Sequence, residues 1–288
     1  MNSNPAIWSL KINQRLHFFS EPLIMGILNL SPDSFYDGQK EKSDESLLNH
    51  CERMVLEGAH IIDIGACSSR PRAVMPDIKE ELQRLLPVIK SIRKNFSDLI
   101  ISVDTFRTET AEAAVSEGAN IINDIGAGNL DAKMFELIAR LKVPYIIMHM
   151  KGMPENMQTN PHYDDIITEI YTFFSEKIKS LTEIGVSDIL IDPGFGFGKT
   201  QEHNYCLLRH LSFFAATGRP IVTGLSRKSM IYKALNSDPG QALNGTTVLN
   251  TLALIGGSNI LRVHDVKEAA ETIKLVNLHR ESKLHIVH

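Results

Sequence analysis

A short phrase repeated along the chain, eight apolar runs and helical stretches between those runs predict an α/β protein folded as a (β/α)8 TIM barrel. The phrase is Gly58-Ala59-His60-Ile61-Ile62-Asp63, which returns as Gly118-Ala119-Asn120-Ile121-Ile122-Asn123 and as Gly257-Ser258-Asn259-Ile260-Leu261-Arg262. A looser copy begins at Gly185 and ends at Asp192. Each copy reads as a glycine ending a helix, a short buried strand rich in β-branched residues, and a polar residue at the strand's C-terminal end. In a parallel barrel those ends converge on one mouth and supply the reacting groups.

The apolar runs fall at 23–28, 61–64, 99–103, 121–122, 143–148, 189–191, 220–223 and 260–263. Their continuous hydrophobicity, without alternation, suits strands buried on both faces. Helical periodicity covers 45–57, 78–95, 108–117, 132–141, 164–183, 202–214, 229–254 with a break at Asp238-Pro239-Gly240, and 266–278. Eight strand–helix units in about 250 residues call for closure into a barrel. An open doubly wound sheet is the competitor; it places a glycine-rich turn after its first strand, where this chain has Asn29-Leu30-Ser31-Pro32-Asp33. Residues 1–22, with alternation in Trp8-Ser9-Leu10-Lys11-Ile12, predict a hairpin extension that plugs the barrel bottom, leaving 23–288 as the barrel. Two connections, 30–44 and 65–77, are longer than a barrel needs, polar and turn-forming, and are expected to act as mobile lids.

The chain of 288 residues is 43% hydrophobic, enough for a sizeable core, and its net charge of -4 argues against a general nucleic-acid binder. Cys51, Cys67 and Cys206 are odd in number and lack Cys-x-x-Cys spacing, which argues against a disulfide framework or a cysteine-rich zinc site. With no apolar leader and no run of membrane-spanning length, the expected location is the cytoplasm, away from membranes.

The groups expected at the mouth fall into two sets. Asp104, Asn123 and Asp192 suit a flat, nitrogen-rich heterocycle whose N–H donors meet carboxylates and whose carbonyl meets an amide. Ser226, Lys228, Arg262 and His264 follow strands seven and eight, where barrels bind phosphate with help from a helix N-terminus such as the one near Asp265. The bland alternatives are an N-cap for Asp104, a capping or orienting role for Asp124, and solvated charges for Arg107, Lys199 and Arg209. His149 lacks a partner at metal-ligand spacing. The glycines of Gly194-Phe195-Gly196-Phe197-Gly198 are expected to let the backbone approach a planar ring, with Phe197 stacking on it. Asp63 receives no task.

These residues stand in longer motifs: Met25 to Phe35, Ser69-Arg70-Pro71, Asp104-Thr105, Ile122 to Ile125, Met148-His149-Met150, Asp192 to Lys199, Ser226 to Ser229, and Arg262 to Asp265. In that order they resemble the dihydropteroate synthase family of pterin-binding enzymes, from about residue 10 to the end. The resemblance implies condensation of 6-hydroxymethyl-7,8-dihydropterin diphosphate with 4-aminobenzoate, giving 7,8-dihydropteroate and diphosphate, in a homodimer. It implies a pterin pocket of Asp104, Asn123, Ile125, Met148, Asp192, Phe197, Gly224 and Lys228. Asn29, Ser69, Arg70, Arg262 and His264 would hold diphosphate, with Asn29 also contacting Mg²⁺. Phe35, Ser69, Arg70, Pro71, Ser226 and Lys228 would line the aminobenzoate pocket, and Asp33 would join Asp104, Asn29, Arg70, Lys228, Arg262 and His264 in catalysis. Where many relatives read Gly-Glu-Ser-Thr-Arg-Pro-Gly, this chain has Ala66-Cys67-Ser68-Ser69-Arg70-Pro71-Arg72 after Gly65, so a carboxylate is lost and a cation gained in the second lid. The competing readings are a methyltetrahydrofolate–corrinoid methyltransferase, which shares the barrel and pterin pocket but needs no diphosphate site, and a non-catalytic pterin-binding homologue.

Overall fold

In the computed structural model of the chain, the described residues are 7–30, 44–67, 75–153 and 156–282. Most of both long connections lies outside them. The barrel strands are β3 (Leu23–Asn29), β4 (Ile61–Gly65), β5 (Ile100–Asp104), β6 (Ile121–Asp124), β7 (Tyr145–Met148), β8 (Ile189–Asp192), β9 (Val222–Thr223) and β10 (Ile260–Val263). All neighbours pair in parallel, in the order β8-β7-β6-β5-β4-β3-β10-β9. A parallel bridge between Ile191 and Ile221, with Ile191 N–H donating to Pro220 O at 3.0 Å, joins the two ends. The eight predicted strands are therefore present, the seventh being only two residues long.

Helices α1 (Asp44–Leu56), α2 (Ile78–Asn95), α3 (Thr108–Ser116), α4 (Met134–Leu141), α5 (Ile166–Glu183), α6 (Gln201–Arg209), α7 (Ser229–Tyr232), α8 (Leu243–Ile255) and α9 (Val266–Glu281) follow the strands. Two of the expected helices are shorter than their periodicity suggests. The stretch 202–214 leaves the α-helix at Arg209 and continues as a 3-10 segment, Leu211–Thr217. The stretch 229–254 is interrupted after Tyr232, well before Pro239, whose own 3-10 turn is capped by Asp238 accepting from Gln241 N–H at 3.1 Å. Local caps explain several starts: Asp77 accepts from Glu80 N–H at 2.8 Å, and Thr200 forms a capping box with His203.

Strands β1 (Trp8–Ile12) and β2 (Arg15–Phe19) form the antiparallel N-terminal hairpin. Its two-residue turn has Asn13 at φ 50° and Gln14 at φ 63°, the paired left-handed conformation of a type I′ turn. Leu10 and Ile12 point into the bottom of the barrel and pack with Leu23, Met25, Ile61, Ile121, Ile146, Leu190, Val222 and Ile260. Lys11 N–H donates to Asp188 Oδ1 at 2.8 Å, fixing the plug to the loop before β8.

Strand alternation carries this apolar floor to the mouth. Two residues beyond Ile61, Ile121, Leu190, Val222 and Ile260 on the same inward face stand Asp63, Asn123, Asp192, Gly224 and Arg262. The opposite parity, including Ile62, Ile64, Ile101, Val103, Ile122, Ile147, Ile191 and Leu261, faces the helices in a second continuous cluster. One side of the strands therefore seals the helical shell, and the other changes from apolar to polar as it rises, except at Met148 on β7 and Gly224 after β9.

Candidate active site

Cross-strand register sets Asn29, Gly65, Asp104 and Asn123 side by side across four strands, and pairs Met148 with Asp192. One layer below lies Asp63, fully buried. It accepts from Ser102 Oγ at 2.6 Å, from Asn123 Nδ2 at 3.1 Å and from Arg262 Nε at 2.6 Å. The other arm of that guanidinium, Nη2, donates to Asp104 Oδ2 at 2.9 Å. Arg262, expected on the anion half, thus lies between Asp104 of the opposite half and the unassigned Asp63.

These contacts explain the charge states. Burial pushes the Asp104 carboxyl upward; Arg262 opposes the shift, while the Asp63 charge adds to it. For Arg262, burial works against the charge, but Asp63 and Asp104 outweigh it and strengthen the guanidinium's hold on its proton. Asp104 does not cap α3; Asp131 does so, accepting from Thr108 N–H at 2.9 Å and Thr108 Oγ1 at 2.7 Å. The structural alternative for Asp104 therefore has no support. Asp124 is structural: its carboxylate receives Gly126 N–H at 2.7 Å, Gly128 N–H at 2.8 Å and Tyr145 Oη at 2.6 Å.

Asp192 accepts from Gly194 N–H at 2.8 Å, and burial raises its pKa against the pull of Lys228. Lys228 donates to Phe195 O and lies with Nζ 4.8 Å from the centre of the Phe197 ring. Burial brings the Lys228 pKa down to about 8, with Asp192 opposing. Gly224 lies beside this ammonium: a Cβ there would be in ordinary contact, 3.7 Å from Lys228 Nζ. Ile125 and Met148 are buried beside the site. Ser226 Oγ is 3.0 Å from His264 Nδ1 and accepts from His264 N–H at 3.2 Å, linking the loops after β9 and β10.

Arg227 makes the second tie between those loops. It stands at φ 54°, unusual for a side chain with a Cβ, and its fork binds Asp265 through Nε at 2.9 Å and Nη2 at 2.6 Å. Its Nη1 also donates to Pro239 O and Gly240 O, both at 3.1 Å. The left-handed residue turns the chain so that its neighbours Ser226 and Lys228 both reach the mouth.

Two expectations need correction. Lys199 is not a solvated charge: it is only 3% exposed, and its ammonium donates to Gly194 O at 2.9 Å, Phe197 O at 3.0 Å and His149 O at 3.2 Å. Its Nζ also lies 3.1 Å from His149 Nδ1, an arrangement in which the neutral imidazole accepts. Burial, with the Lys199 and Lys151 charges, brings His149 down to about 2. Nor is Arg107 solvated; it pairs with the buried Glu81, which also receives Thr105 Oγ1 at 2.7 Å. Sequence position hides both, because His149 lies 50 residues from Lys199 and Glu81 lies 26 residues from Arg107.

The glycines of the run at 194–198 also have packing roles within the protein. A Cβ on Gly194 would stand 1.9 Å from His149 O, and one on Gly198 would stand 2.2 Å from Lys151 O. Both residues have positive φ. Their absent side chains thus permit close packing of two backbone segments. Gly196 approaches Lys228, where a Cβ would be 3.4 Å from Cδ.

Asp33, Phe35, Ser69, Arg70 and Pro71 lie outside the described residues. Among the described residues, no group of three or more His, Cys, Asp or Glu could hold a metal ion by itself.

The family model for pterin-binding enzymes matches residues 25–264. The chain belongs to the pterin-binding enzyme family. Its relatives include the dihydropteroate synthase of Escherichia coli K12, 42% identical over 89% of this chain and 91% of that protein. The Bacillus subtilis dihydropteroate synthase is 39% identical over 91% and 90%, respectively. Among solved structures, the Yersinia pestis dihydropteroate synthase in a sulfonamide drug complex superposes with a TM-score of 0.90 at 40% identity, covering 96% of this chain and all of that one. The Xanthomonas albilineans enzyme in complex with 7,8-dihydropteroate gives 0.85 at 36% identity, with the same coverage.

Proposed function

We propose that the chain is a dihydropteroate synthase, a transferase of folate biosynthesis that joins 6-hydroxymethyl-7,8-dihydropterin diphosphate to 4-aminobenzoate and releases diphosphate. The observation that carries this reading is one mouth containing two opposed kinds of group. Asp104 and Asp192 offer carboxylates to a donor-rich heterocycle, with Asn123 between them in the barrel order. Lys228, Ser226 and His264 offer a cation, a hydroxyl and an imidazole towards an acidic substrate portion. Ile125, Met148, Phe197 and Gly224 complete the pterin pocket in this reading. Ser69, Arg70, Arg262 and His264 hold diphosphate, and Phe35, Ser69, Arg70, Pro71, Ser226 and Lys228 receive aminobenzoate.

Asn29, half-buried at the tip of β3, is the residue that would hold Mg²⁺. One amide oxygen is a sparse donor set, but it fits a hard cation that keeps waters and takes its other ligands from substrate phosphate. When bound, the ion would offset charge on the departing diphosphate. The chain's own residues then do three things. Cationic side chains stabilise the leaving anion, so the C–O bond breaks ahead of attack by the weak arylamine. The anionic Asp104 stabilises positive charge on the dihydropterin. Closure over the site, assigned to the connections 30–44 and 65–77, keeps out the water that would capture that cation.

The working unit in this reading is a homodimer. An exposed apolar surface supports the reading: Val248, Leu252 and Ile255 on α8 and Leu275 and Leu278 on the adjacent α9 are all at least 46% exposed, whereas Met230, Ile231, Leu249 and Leu254 are buried in the core. The methyltransferase alternative needs no cations of this kind, and Lys228, Arg262 and His264 weigh against it.

No helix among the described residues is long and apolar enough to cross a membrane. The cytoplasm remains the proposed location. The deciding experiment incubates the chain with dihydropterin diphosphate, Mg²⁺ and 4-aminobenzoate. Diphosphate and dihydropteroate should appear together; tight pterin binding without product would overturn the synthase reading.

A further inference from the structure

Asp63 lies below the ligand-facing layer, yet side chains from three different strands point their donors at it: Ser102 on β5, Asn123 on β6 and Arg262 on β10. These three bonds satisfy the buried carboxylate and at the same time fix the side chains that make them. A carboxylate only accepts, so the amide group of Asn123 must turn its NH2 towards Asp63. The Asn123 carbonyl oxygen is then directed to the other side. In the same way, the bond from Arg262 Nε fixes the pivot of a guanidinium whose Nη2 reaches Asp104.

We propose that Asp63 is a positioning residue that sets which hydrogen-bonding edge the pocket presents, by orienting the Asn123 amide and seating the Arg262 guanidinium. The partition of roles within the carboxylate makes this testable. Oδ1 receives only Ser102 among these three donors, whereas Oδ2 receives both Asn123 and Arg262. In Asp63→Asn, the amide oxygen can occupy the Oδ2 position and keep both bonds. Its NH2 then faces Ser102 Oγ, which can turn and accept. Asn therefore preserves the orientation while removing the charge; Ala removes both.

The inference rests on the proposed pterin site, so the wild-type chain is first required to bind pterin and to form dihydropteroate; failure there would count against the synthase reading itself. With that established, pterin affinity is measured by fluorescence titration, and the KM for 4-aminobenzoate by steady-state assay. Asp63→Ala should weaken pterin binding by roughly 10- to 100-fold, as loss of an orienting partner commonly does, with the aminobenzoate KM changed less than about threefold. Asp63→Asn should stay within about fivefold of wild type for pterin. If Asp63→Ala does not fold, Asp63→Ser provides the same arm, because its shorter side chain cannot serve Asn123 and Arg262 together. Pterin affinity within about twofold of wild type in the folded Ala or Ser variant would overturn the proposal. So would an Asn variant as impaired as that variant, since charge rather than orientation would then be decisive.

Discussion

Replacing Lys199 by Met tests whether a buried ammonium holds the loop that carries Phe197, a residue of the proposed pterin pocket. Met keeps most of the aliphatic volume and removes the donor. Three carbonyls and one imidazole nitrogen lose contacts of 2.9–3.2 Å. Gly194 O retains a second donor, Phe197 N–H at 3.1 Å, so the cost falls mainly on His149 O, Phe197 O and His149 Nδ1. At about 1–2 kcal/mol for each buried acceptor left without this partner, the loss is about 3–6 kcal/mol. Relief from burying an ammonium returns part of it, since burial alone pushes Lys199 well below its ordinary pKa. A net loss of about 2–4 kcal/mol follows, or roughly 4–10 °C in Tm for a chain of this size. Urea unfolding and a thermal melt at pH 7.5 read it directly. Pterin binding should weaken as well, because the same loop presents Phe195 O to Lys228. A Met variant melting within about 1 °C of wild type, with unchanged pterin affinity, would refute the reasoning.

His149 should remain neutral, with its proton on Nε2, across pH 5–9, as read by ¹⁵N-detected NMR of the imidazole. Its folded pKa lies below its unfolded one, so the stability it contributes is present above about pH 6.5 and declines progressively as pH falls below that value; a His149→Gln variant should lose part of that pH dependence. Burial, with Glu81 the next contributor, pushes the Cys67 thiol up to about 12, so at pH 8 iodoacetamide should label it at least about a hundredfold more slowly than free N-acetylcysteine. Fast labelling at Cys67, mapped by mass spectrometry, would contradict that placement. Leu252→Glu puts a charge into the exposed α8–α9 stripe, and light scattering should show the variant shifted towards monomer relative to wild type.

Most of the barrel can be read along the chain because its strands repeat one local pattern. In the phrase Gly-x-x-Ile-Ile-polar, the first branched residue of the strand faces the barrel interior, the second faces the helices, and the polar residue returns to the interior. That parity places Asn123 and Arg262, and it also marks Asp63, two residues after Ile61 on the inward face. The signal for Asp63 was therefore local. Its partners were not, since Arg262 lies 199 residues further on, and no property of either segment identifies the other. Lys199 shows the complementary limit: a lysine beside a glycine run reads as solvated until the fold brings His149 against it. Likewise, α7 ends early where the chain turns at Asn236, φ 50°, and Ser237 N–H donates back to Tyr232 O at 2.8 Å, whereas helical periodicity records only which residues are apolar.

The shared guanidinium explains how one site can favour opposite charges a few ångströms apart. Asp63 and Asp104 divide Arg262 between them, so two carboxylates meet one cation in a largely buried region. The imbalance appears in Asp104, whose proton affinity rises although Arg262 touches it. Asp104 is also the less buried of the two, with 18% of its side chain exposed against none for Asp63. The incompletely balanced negative charge thus faces the mouth, where N–H donors or a developing cation would meet it without displacing Arg262 from Asp63. Across the barrel, Lys228 balances Asp192, and burial brings it to about 8, so it keeps most of its charge at neutral pH and loses it a little above. Binding of a donor-rich head should therefore require Asp104 deprotonated, and binding of an anionic tail Lys228 protonated. Those two demands are met together only across a limited range around neutral pH.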